Sequence, residues 1–356
     1  MSTAAPKPPS TFQNRLTVVA LSLLFVVLVI HLLQLFAPIL QRLLIAVFAG
    51  YVLLPIQREL VRRKVPSKLA YVLLLVLLIA MLMVLAQTAF SGFKVFTPQR
   101  LEQYQQKLDR FVDRTATTLR IERSEPASVW LRRNLGSREN LTQDLLQTAR
   151  GVLGTFLDFL TSALIVFVYL IFLLAEKLTF PKRMQMAFGD RQAGRVLEIV
   201  KHINDAIMRY IAVKTWVSFV TAVLSLVILL AFGVEFSVLW ALLIFAFNFI
   251  PYIGSLVAIA PPILLGFLQF DSYWRGGVIT IWLIGVQAFT GQYLEPRLAG
   301  KSLNLSPLLI LISLSFWGFL WGIVGMILAV PLTVVCKIVL DNITETKPVG
   351  TLMSNV

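Results

Sequence analysis

Two apolar stretches in the C-terminal half constrain the fold of this chain more than any other feature. Residues 236–270 and 306–340 are each roughly 35 residues long and nearly free of charge. A helix needs about 20 residues to cross a bilayer, so each stretch is too long for one span and short for two. Each is interrupted near its middle, by "IPYIG" and by "WGFLWGIVG". Backbone groups freed at such breaks cost several kcal/mol in lipid, so the breaks are expected to face protein or a cavity.

Composition agrees with a membrane protein. Of the 356 residues, 58% are hydrophobic and only 14% are charged, whereas soluble domains contain about 25% charged residues. We therefore predict an all-α polytopic membrane protein with about eight membrane segments, two broken or re-entrant helical hairpins in its C-terminal half, and a small helical domain outside the membrane.

Few residues are available for metal binding or for an enzyme site. The chain has one cysteine and two histidines, which exclude a disulfide framework and argue against a His- or Cys-based metal site. It has no HExxH or GxSxG motif and no Walker A loop, so neither an enzyme nor an ATP-driven pump is expected. We expect no metal and no cofactor.

We attribute the net charge of +14 to the membrane topology of the chain. Basic residues collect in cytoplasmic loops and beside lipid headgroups, and no nucleic-acid-binding motif accompanies them, so no nucleic-acid partner is expected. The loop "QRELVRRKVPSK" after the second apolar segment holds five basic residues against one acid. This loop is predicted to be cytoplasmic, and the N-terminus and C-terminus with it.

The remaining boundaries follow from changes in polarity along the chain. An amphipathic period within residues 94–150 predicts helices outside the membrane, and a second such period lies within residues 191–210. The predicted regions are a disordered tail (1–15), three spans (16–93), an extracytoplasmic helical domain (94–150), a fourth span (151–176), a cytoplasmic amphipathic helical linker (177–210), a transport unit (211–341) and a C-terminal tail (342–356).

The two long segments also resemble each other. "GSLVAIAPP" begins at Gly254 and "GMILAVP" begins at Gly325, and each lies in the second half of its segment. Paired interrupted segments in corresponding positions indicate a secondary transporter site. Each segment is either a kinked span or a re-entrant hairpin. Arg297 and Lys301 favour the hairpins, which would place "EPRLAGKS" on the cytoplasmic side.

Candidate substrate- or ion-binding residues lie near the first break and on the span after it. The amide of Asn248 would bind substrate or make an ordinary interhelical hydrogen bond. Glu295 would bind a proton or cation, or form a surface ion pair with Arg297 or Lys301. The complete set is Asn248, Pro251, Tyr252, Gly254, Gln287 and Glu295.

A second set of residues is predicted to shape the breaks. Ser306 is a candidate cap for the half-helix that follows it, and a Gly-x-x-x-Gly pair favours close helix packing as an alternative to a site. The set comprises Pro261, Pro307, Gly318, Gly322, Gly325 and Pro331.

Two motifs resemble the signature of the autoinducer-2 exporter family, the PerM-like membrane proteins of bacteria. They are "FNFIPYIG" (247–254) and "EPRLAGKSLNLSPLLILISLSFWGFLWGIVGMILAVPL" (295–332), with support from "AVFAGYVLLPIQREL" near 46–60. The resemblance covers about residues 16–341. Ser255 stands where relatives often have Pro, and Asn304 where Gly is common.

The resemblance implies export or exchange of a small solute without ATP, with H⁺ or Na⁺ as the coupling ion. Some relatives are associated with autoinducer-2 and others with sodium–proton exchange, so an antiporter of the same family is the alternative, and a passive channel is a weaker one. The resemblance also implies a movable C-terminal unit, a homo-oligomer such as a pentamer, and the bacterial inner membrane. The expected partners are a small-molecule or ion substrate and the lipid bilayer.

Overall fold

The structure is a computed structural model, and every element that it describes is a helix. It describes residues 11–66, 98–118, 138–270, 272–299 and 305–354, with residue 129 and scattered residues between 69 and 87. The helices are α1 (Thr11–Leu35), α2 (Ala37–Arg62), α3 (Pro98–Thr118), α4 (Arg138–Ala231), α5 (Ser237–Phe247), α6 (Ile253–Gln269), α7 (Tyr273–Ala288), a π-helix (Phe289–Leu294), α8 (Glu295–Ala299), α9 (Pro307–Asp341) and α10 (Lys347–Leu352).

Five helical stretches of the described chain are long and apolar enough to cross a membrane. They are Thr17–Leu35, Ala37–Arg62, Thr179–Ala231, Tyr273–Leu298 and Pro307–Asp341, and three shorter apolar helices accompany them. The all-α membrane architecture is thereby confirmed, while the count of eight segments stays a prediction. Half of the residues of the third predicted span (69–90), and the N-terminal tail up to residue 10, lie outside the described residues.

Helix α4 is one helical run with a single sharp break at Gly189. This glycine has φ 70° and ψ 164°, a backbone conformation that is open essentially to glycine alone. It divides α4 into a first arm (residues 138–188) and a second arm (residues 190–231). The boundaries predicted near residues 150, 176 and 210 all fall within these arms, so helix continues where the polarity of the sequence changes.

Helix α2 contacts both arms of α4. On the first arm, Val166 and Leu170 pack against the buried Ala46. On the second arm, Asn204 accepts a hydrogen bond from the hydroxyl of Tyr51. The two arms therefore lie on either side of one helix, which requires α4 to fold back at Gly189.

The first long segment forms a helical hairpin. Helices α5 and α6 are joined by a turn at residues 248–252, and they pack together through the buried Ile244, Ala258 and Ile259. Pro261 and Pro262 lie inside α6, so the chain turns well before these prolines.

The second long segment also folds back on itself. The run of α9 is broken at Gly322, with φ 62° and ψ −142°. The Ser313 hydroxyl donates to the Ala329 carbonyl oxygen at 3.1 Å and bonds to the Thr333 hydroxyl. In a straight helix Ser313 and Thr333 would lie about 30 Å apart, so the two halves of α9 form an antiparallel hairpin. Re-entry of either hairpin into the bilayer stays a prediction.

The two hairpins meet near their turns. Ile250, in the turn of the first hairpin, packs against the buried Leu314 and Ala329 of the second. The N-terminal helices contact the same region: Phe48 packs edge to face on Phe249 at 5.5 Å, and the Trp321 indole donates to the Leu33 carbonyl oxygen at 3.1 Å. Both chain reversals are thus in contact with the N-terminal helices.

The turn of the first hairpin holds Tyr252 in an unfavourable conformation, which leads to a prediction. Tyr252 has φ 60° and ψ −57°, and the Ile253 amide donates to the Pro251 carbonyl oxygen across it at 2.7 Å, as in the rare and strained classic γ-turn. Because glycine adopts positive φ without a Cβ penalty, we expect Tyr252→Gly to raise the stability of the protein by about 1 kcal/mol.

Thermal unfolding in detergent would measure this gain. The matched control is Tyr252→Ala, which removes the same exposed ring but keeps the Cβ atom and therefore the strain. Equal melting temperatures for the two variants would contradict the interpretation.

Candidate transport site

The second arm of α4 contains a row of buried polar side chains within an apolar stretch. Lys214, Ser218, Thr221 and Ser225 recur at three- and four-residue steps, which places them on one face of the helix. Lys214 is 5% exposed and the other three are fully buried. We call these four residues the polar row. Groups of this kind are expensive in an apolar environment, and in membrane helices they mark functional sites.

The charged end of the polar row is an ion pair with Glu295. The Lys214 ammonium (Nζ) lies 2.7 Å from Oε1 and 2.8 Å from Oε2 of this carboxylate. The side chain of Lys214 is 6% exposed and that of Glu295 is 29% exposed. Tyr210, one turn earlier on the same arm, lies within electrostatic range of Glu295, and its buried hydroxyl has no hydrogen-bond partner in the described chain.

Glu295 follows directly after the π-helix Phe289–Leu294. A π-helical turn contains an extra residue, is uncommon, and occurs frequently at functional sites. Here it joins α7 to α8, and its Thr290 is 1% exposed. Gln287 lies just before it, and the side-chain nitrogen of Gln287 is buried without a partner among the described residues. Directly after this turn, Glu295 packs against the second arm through its ion pair with Lys214.

The turn of the first hairpin reaches the same row from another direction. Asn248 is 6% exposed, and its side-chain amide donates to the Ser218 hydroxyl at 3.0 Å. Ser218 lies one helical turn from Lys214. The structure thus brings two of the predicted site residues, Asn248 and Glu295, to neighbouring positions of the polar row. The bond made by Asn248 is the interhelical hydrogen bond that we considered as the alternative to substrate binding.

The other predicted residues lie around the two hairpin turns. Pro251 and Tyr252 form the first turn, and Tyr252 is 59% exposed, while Gly254 is buried at the start of α6. Pro307 opens α9 after Ser306, whose side chain makes no capping bond.

The predicted break residues of the second hairpin lie mostly within helix. Of these residues, only Gly322 has a non-helical conformation, and Gly318 and Pro331 lie inside the helical halves of α9. Gly318 faces the side chain of Met326. Gly325 follows shortly after the turn and is buried.

Sequence reasoning missed Lys214 and Ser218, and it gave Glu295 a wrong alternative partner. Arg297 does not pair with Glu295; its guanidinium carbon lies 3.9 Å from the centroid of the Tyr293 ring. Lys301 lies outside the described residues. A signal for Lys214 was present, since it is a lone lysine in the apolar run 211–232.

No metal site is formed in the part of the chain that the structure describes. There, no three His, Cys, Asp or Glu side chains come close enough together to hold a metal ion. The chemistry that the polar row and its partners offer is hydrogen bonding through hydroxyl and amide groups, together with the Lys214–Glu295 ion pair.

The bond between Asn248 and Ser218 can be tested by mutation. We expect Asn248→Ala to lower stability by about 1–2 kcal/mol, since it leaves a buried hydroxyl without its partner. The double variant Asn248→Ala, Ser218→Ala should lose less than the sum of the two single changes, because the partners are coupled. Thermal unfolding in detergent measures both quantities.

Ser315→Ala is the control for this cycle. Ser315 is exposed and, among the described residues, donates only to the Leu311 carbonyl oxygen of its own helix at 3.0 Å, so its loss should change stability little and should add independently to Asn248→Ala. Strict additivity of Asn248→Ala and Ser218→Ala would show that the hydrogen bond contributes nothing.

Comparison with known proteins identifies the family of the chain. The family model described as "AI-2E family transporter" matches residues 20–345. The chain is 28% identical to the AI-2 transport protein TqsA of Escherichia coli, over 98% of both proteins. It is 30% identical to a candidate transport protein of Haemophilus influenzae, over 97% of this chain and 99% of the relative. A candidate transport protein of Borreliella burgdorferi is 37% identical over 54% of this chain and 53% of the relative. The chain belongs to the AI-2E transporter family.

Proposed function

We propose that the chain is a secondary transporter that exports or exchanges a small polar solute without ATP, and that the solute passes along the polar row. The observation that most supports this proposal is the position of the row. Two of its four buried polar side chains bond to other segments: Lys214 pairs with Glu295, directly after the π-helix, and Ser218 accepts a hydrogen bond from Asn248 in the turn of a helical hairpin. Irregular backbone at membrane depth is tolerated where it lines a cavity or is buried in protein.

Unpaired polar atoms near the row provide binding capacity. The hydroxyl groups of Tyr210, Thr215 and Ser225 and the amide nitrogen of Gln287 are buried without partners in the described chain. A buried polar group without a partner costs about 1–3 kcal/mol, and a solute with hydrogen-bonding groups would remove that cost. This supports a polar solute over a purely apolar one.

The identity of the solute is proposed from the relatives. TqsA is named an AI-2 transport protein, so autoinducer-2, or a solute with similar hydrogen-bonding groups, is the first candidate. We further propose a bacterial inner-membrane location with both termini in the cytoplasm, a homo-oligomeric assembly, and coupling to H⁺ or Na⁺.

The Lys214–Glu295 pair favours sodium–proton exchange as a second candidate. A cation or proton that binds the Glu295 carboxylate would compete with the Lys214 ammonium, which is the competition that an exchanger requires. The pair is also consistent with ion-coupled solute transport. The two functions differ in whether ion movement requires a solute.

Flux measurements with the purified protein in sealed liposomes test the proposal. We expect ATP-independent accumulation of autoinducer-2 against its gradient when a proton or sodium gradient is applied, with reduced flux in Ser218→Ala and Ser225→Ala. Sodium-driven proton movement in the absence of any solute would favour the exchanger instead. Solute equilibration without accumulation would identify a passive channel, and the absence of all flux in folded protein would reject transport along the row.

A further inference from the structure

A separate cavity of about 540 Å³ lies between α2 and the two arms of α4. Its volume falls within the range of about 300–1,000 Å³ that is common for small-molecule sites. None of the polar-row residues lines it, nor do Glu295 and Asn248. Residues of α2 and of both arms line the cavity, because α4 folds back at Gly189 and brings both of its arms to α2.

One part of the cavity wall is apolar and well packed. Ala46 is fully buried and Leu170 is 1% exposed, and Leu173 and Val200 continue this wall on the two arms. Gly50 allows α2 to approach the first arm closely, because a Cβ atom there would lie 3.3 Å from Cδ1 of Leu170. This part of the cavity suits hydrocarbon.

The other part of the cavity wall is charged. Arg58 and Lys201 provide two cations, and Glu176 and Asp205 provide two carboxylates. Glu176 also accepts a hydrogen bond from Arg183 at 2.5 Å. Within the described chain, neither a hydrogen bond nor an ion pair joins Arg58, Lys201 or Asp205 to another side chain.

The charged wall lies near the ends of apolar helices. Arg58 is in the last turns of α2, which ends at Arg62, and Glu176 follows the apolar stretch Ser162–Leu173. Charged groups at the ends of membrane spans lie at the level of the lipid headgroups. The cavity therefore extends from that level into the apolar part of the bundle.

We propose that this cavity binds a single phospholipid with a zwitterionic head group that contains a primary ammonium, as in phosphatidylethanolamine. Arg58 and Lys201 would bind the phosphate, Glu176 and Asp205 would accept hydrogen bonds from the ammonium, and an acyl chain would lie along Leu170 and Leu173. A choline head group has no N–H to donate. An anionic head group without an ammonium would leave Asp205 without a partner, whereas Glu176 would keep only its bond from Arg183.

Native mass spectrometry of the full-length protein in detergent tests the proposal with three lipids of identical acyl chains. These are phosphatidylethanolamine, phosphatidylcholine and phosphatidylglycerol. We expect one phosphatidylethanolamine to remain bound with about tenfold preference over either competitor, a ratio that corresponds to about 1.4 kcal/mol.

The double variant Arg58→Gln, Asp205→Asn should lose this preference. The matched control Arg195→Gln, Asp190→Asn removes the same two charges from exposed positions that do not line the cavity, and it should keep the preference.

Three outcomes would overturn the proposal. Equal retention of the three lipids by the unaltered protein would show that the head group is not recognised. An unchanged preference in Arg58→Gln, Asp205→Asn would place the lipid elsewhere. Displacement of the lipid by free phosphoethanolamine at an equal concentration would show that the apolar wall adds nothing, and that the occupant is a soluble head-group compound. Because the assay measures lipid binding, its result is independent of whether the polar row transports a solute.

Discussion

Lys214→Ala should lower the stability of the folded protein by about 3–5 kcal/mol and abolish transport. The change removes the ammonium that lies 2.7 and 2.8 Å from the two oxygens of Glu295 and leaves a partly buried carboxylate without its counter-charge. Removing one partner of a buried ion pair costs about 3–5 kcal/mol of stability, because the remaining charge is buried without compensation. Thermal unfolding in detergent and flux in liposomes measure the two effects.

An exposed ion pair provides the control. Arg63 lies 3.2 Å from Glu59, and the two side chains are 75% and 54% exposed. We expect Arg63→Ala to change stability by less than about 1 kcal/mol, as is usual for surface pairs. A similar loss in Arg63→Ala and Lys214→Ala would mean that burial adds nothing to the Lys214 pair.

A double substitution separates the structural role of the pair from its role in transport. Lys214→Met, Glu295→Met replaces both charges by apolar groups, and such replacements of buried pairs are often neutral or stabilising. We expect this variant to recover stability while transport remains absent. Normal transport by the double variant would restrict the pair to a structural role and would remove it from the proposed path.

The Lys214–Glu295 pair also shows what sequence reasoning can and cannot provide. Glu295 was identified from the residue alone, because a carboxylate beside an apolar span is unusual. Its partner lies 81 residues earlier in the chain, and only the packing of the second arm against α7 and the π-helix brings the two together. Local charge patterns offered Arg297 or Lys301, both near neighbours in sequence, and the actual pairing depends on tertiary geometry that these patterns do not contain.

The prediction of helix boundaries had a related limit. The polar region 177–210 was predicted to be an amphipathic helical linker, separate from the apolar spans before and after it. Polarity reports the environment of a helix and does not by itself end one, and α4 continues through this region with a single break at Gly189. Likewise, Pro261 and Pro331 were predicted at breaks, yet each lies inside a helix. The reversals occur earlier, at residues 248–252 and at Gly322.

The predicted resemblance between the two long segments was more informative than the prolines. It paired Gly254 with Gly325, and both follow a chain reversal. A Cβ atom on Gly254 would lie 1.9 Å from the Phe247 carbonyl oxygen, and one on Gly325 would lie 1.9 Å from the Trp317 carbonyl oxygen. In each hairpin, the second helix therefore begins against the backbone of the first, at a distance that only glycine allows.

Gly254→Ala and Gly325→Ala should therefore each lower stability by about 3 kcal/mol or more, since a methyl group would overlap backbone that cannot rotate away. Gly277→Ala is the control: a Cβ atom there would meet nothing within 4 Å, and alanine in a helix is favoured over glycine by up to about 1 kcal/mol. Thermal unfolding in detergent should show two lowered melting temperatures, for Gly254→Ala and Gly325→Ala, and one that is unchanged or raised.

Because each reversal holds groups that contact the other hairpin or the polar row, flux should fall in both destabilised variants even below their melting temperatures. A normal melting temperature in either variant would mean that its hairpin can open at the turn without loss, and the close approach at that glycine would then have no structural role.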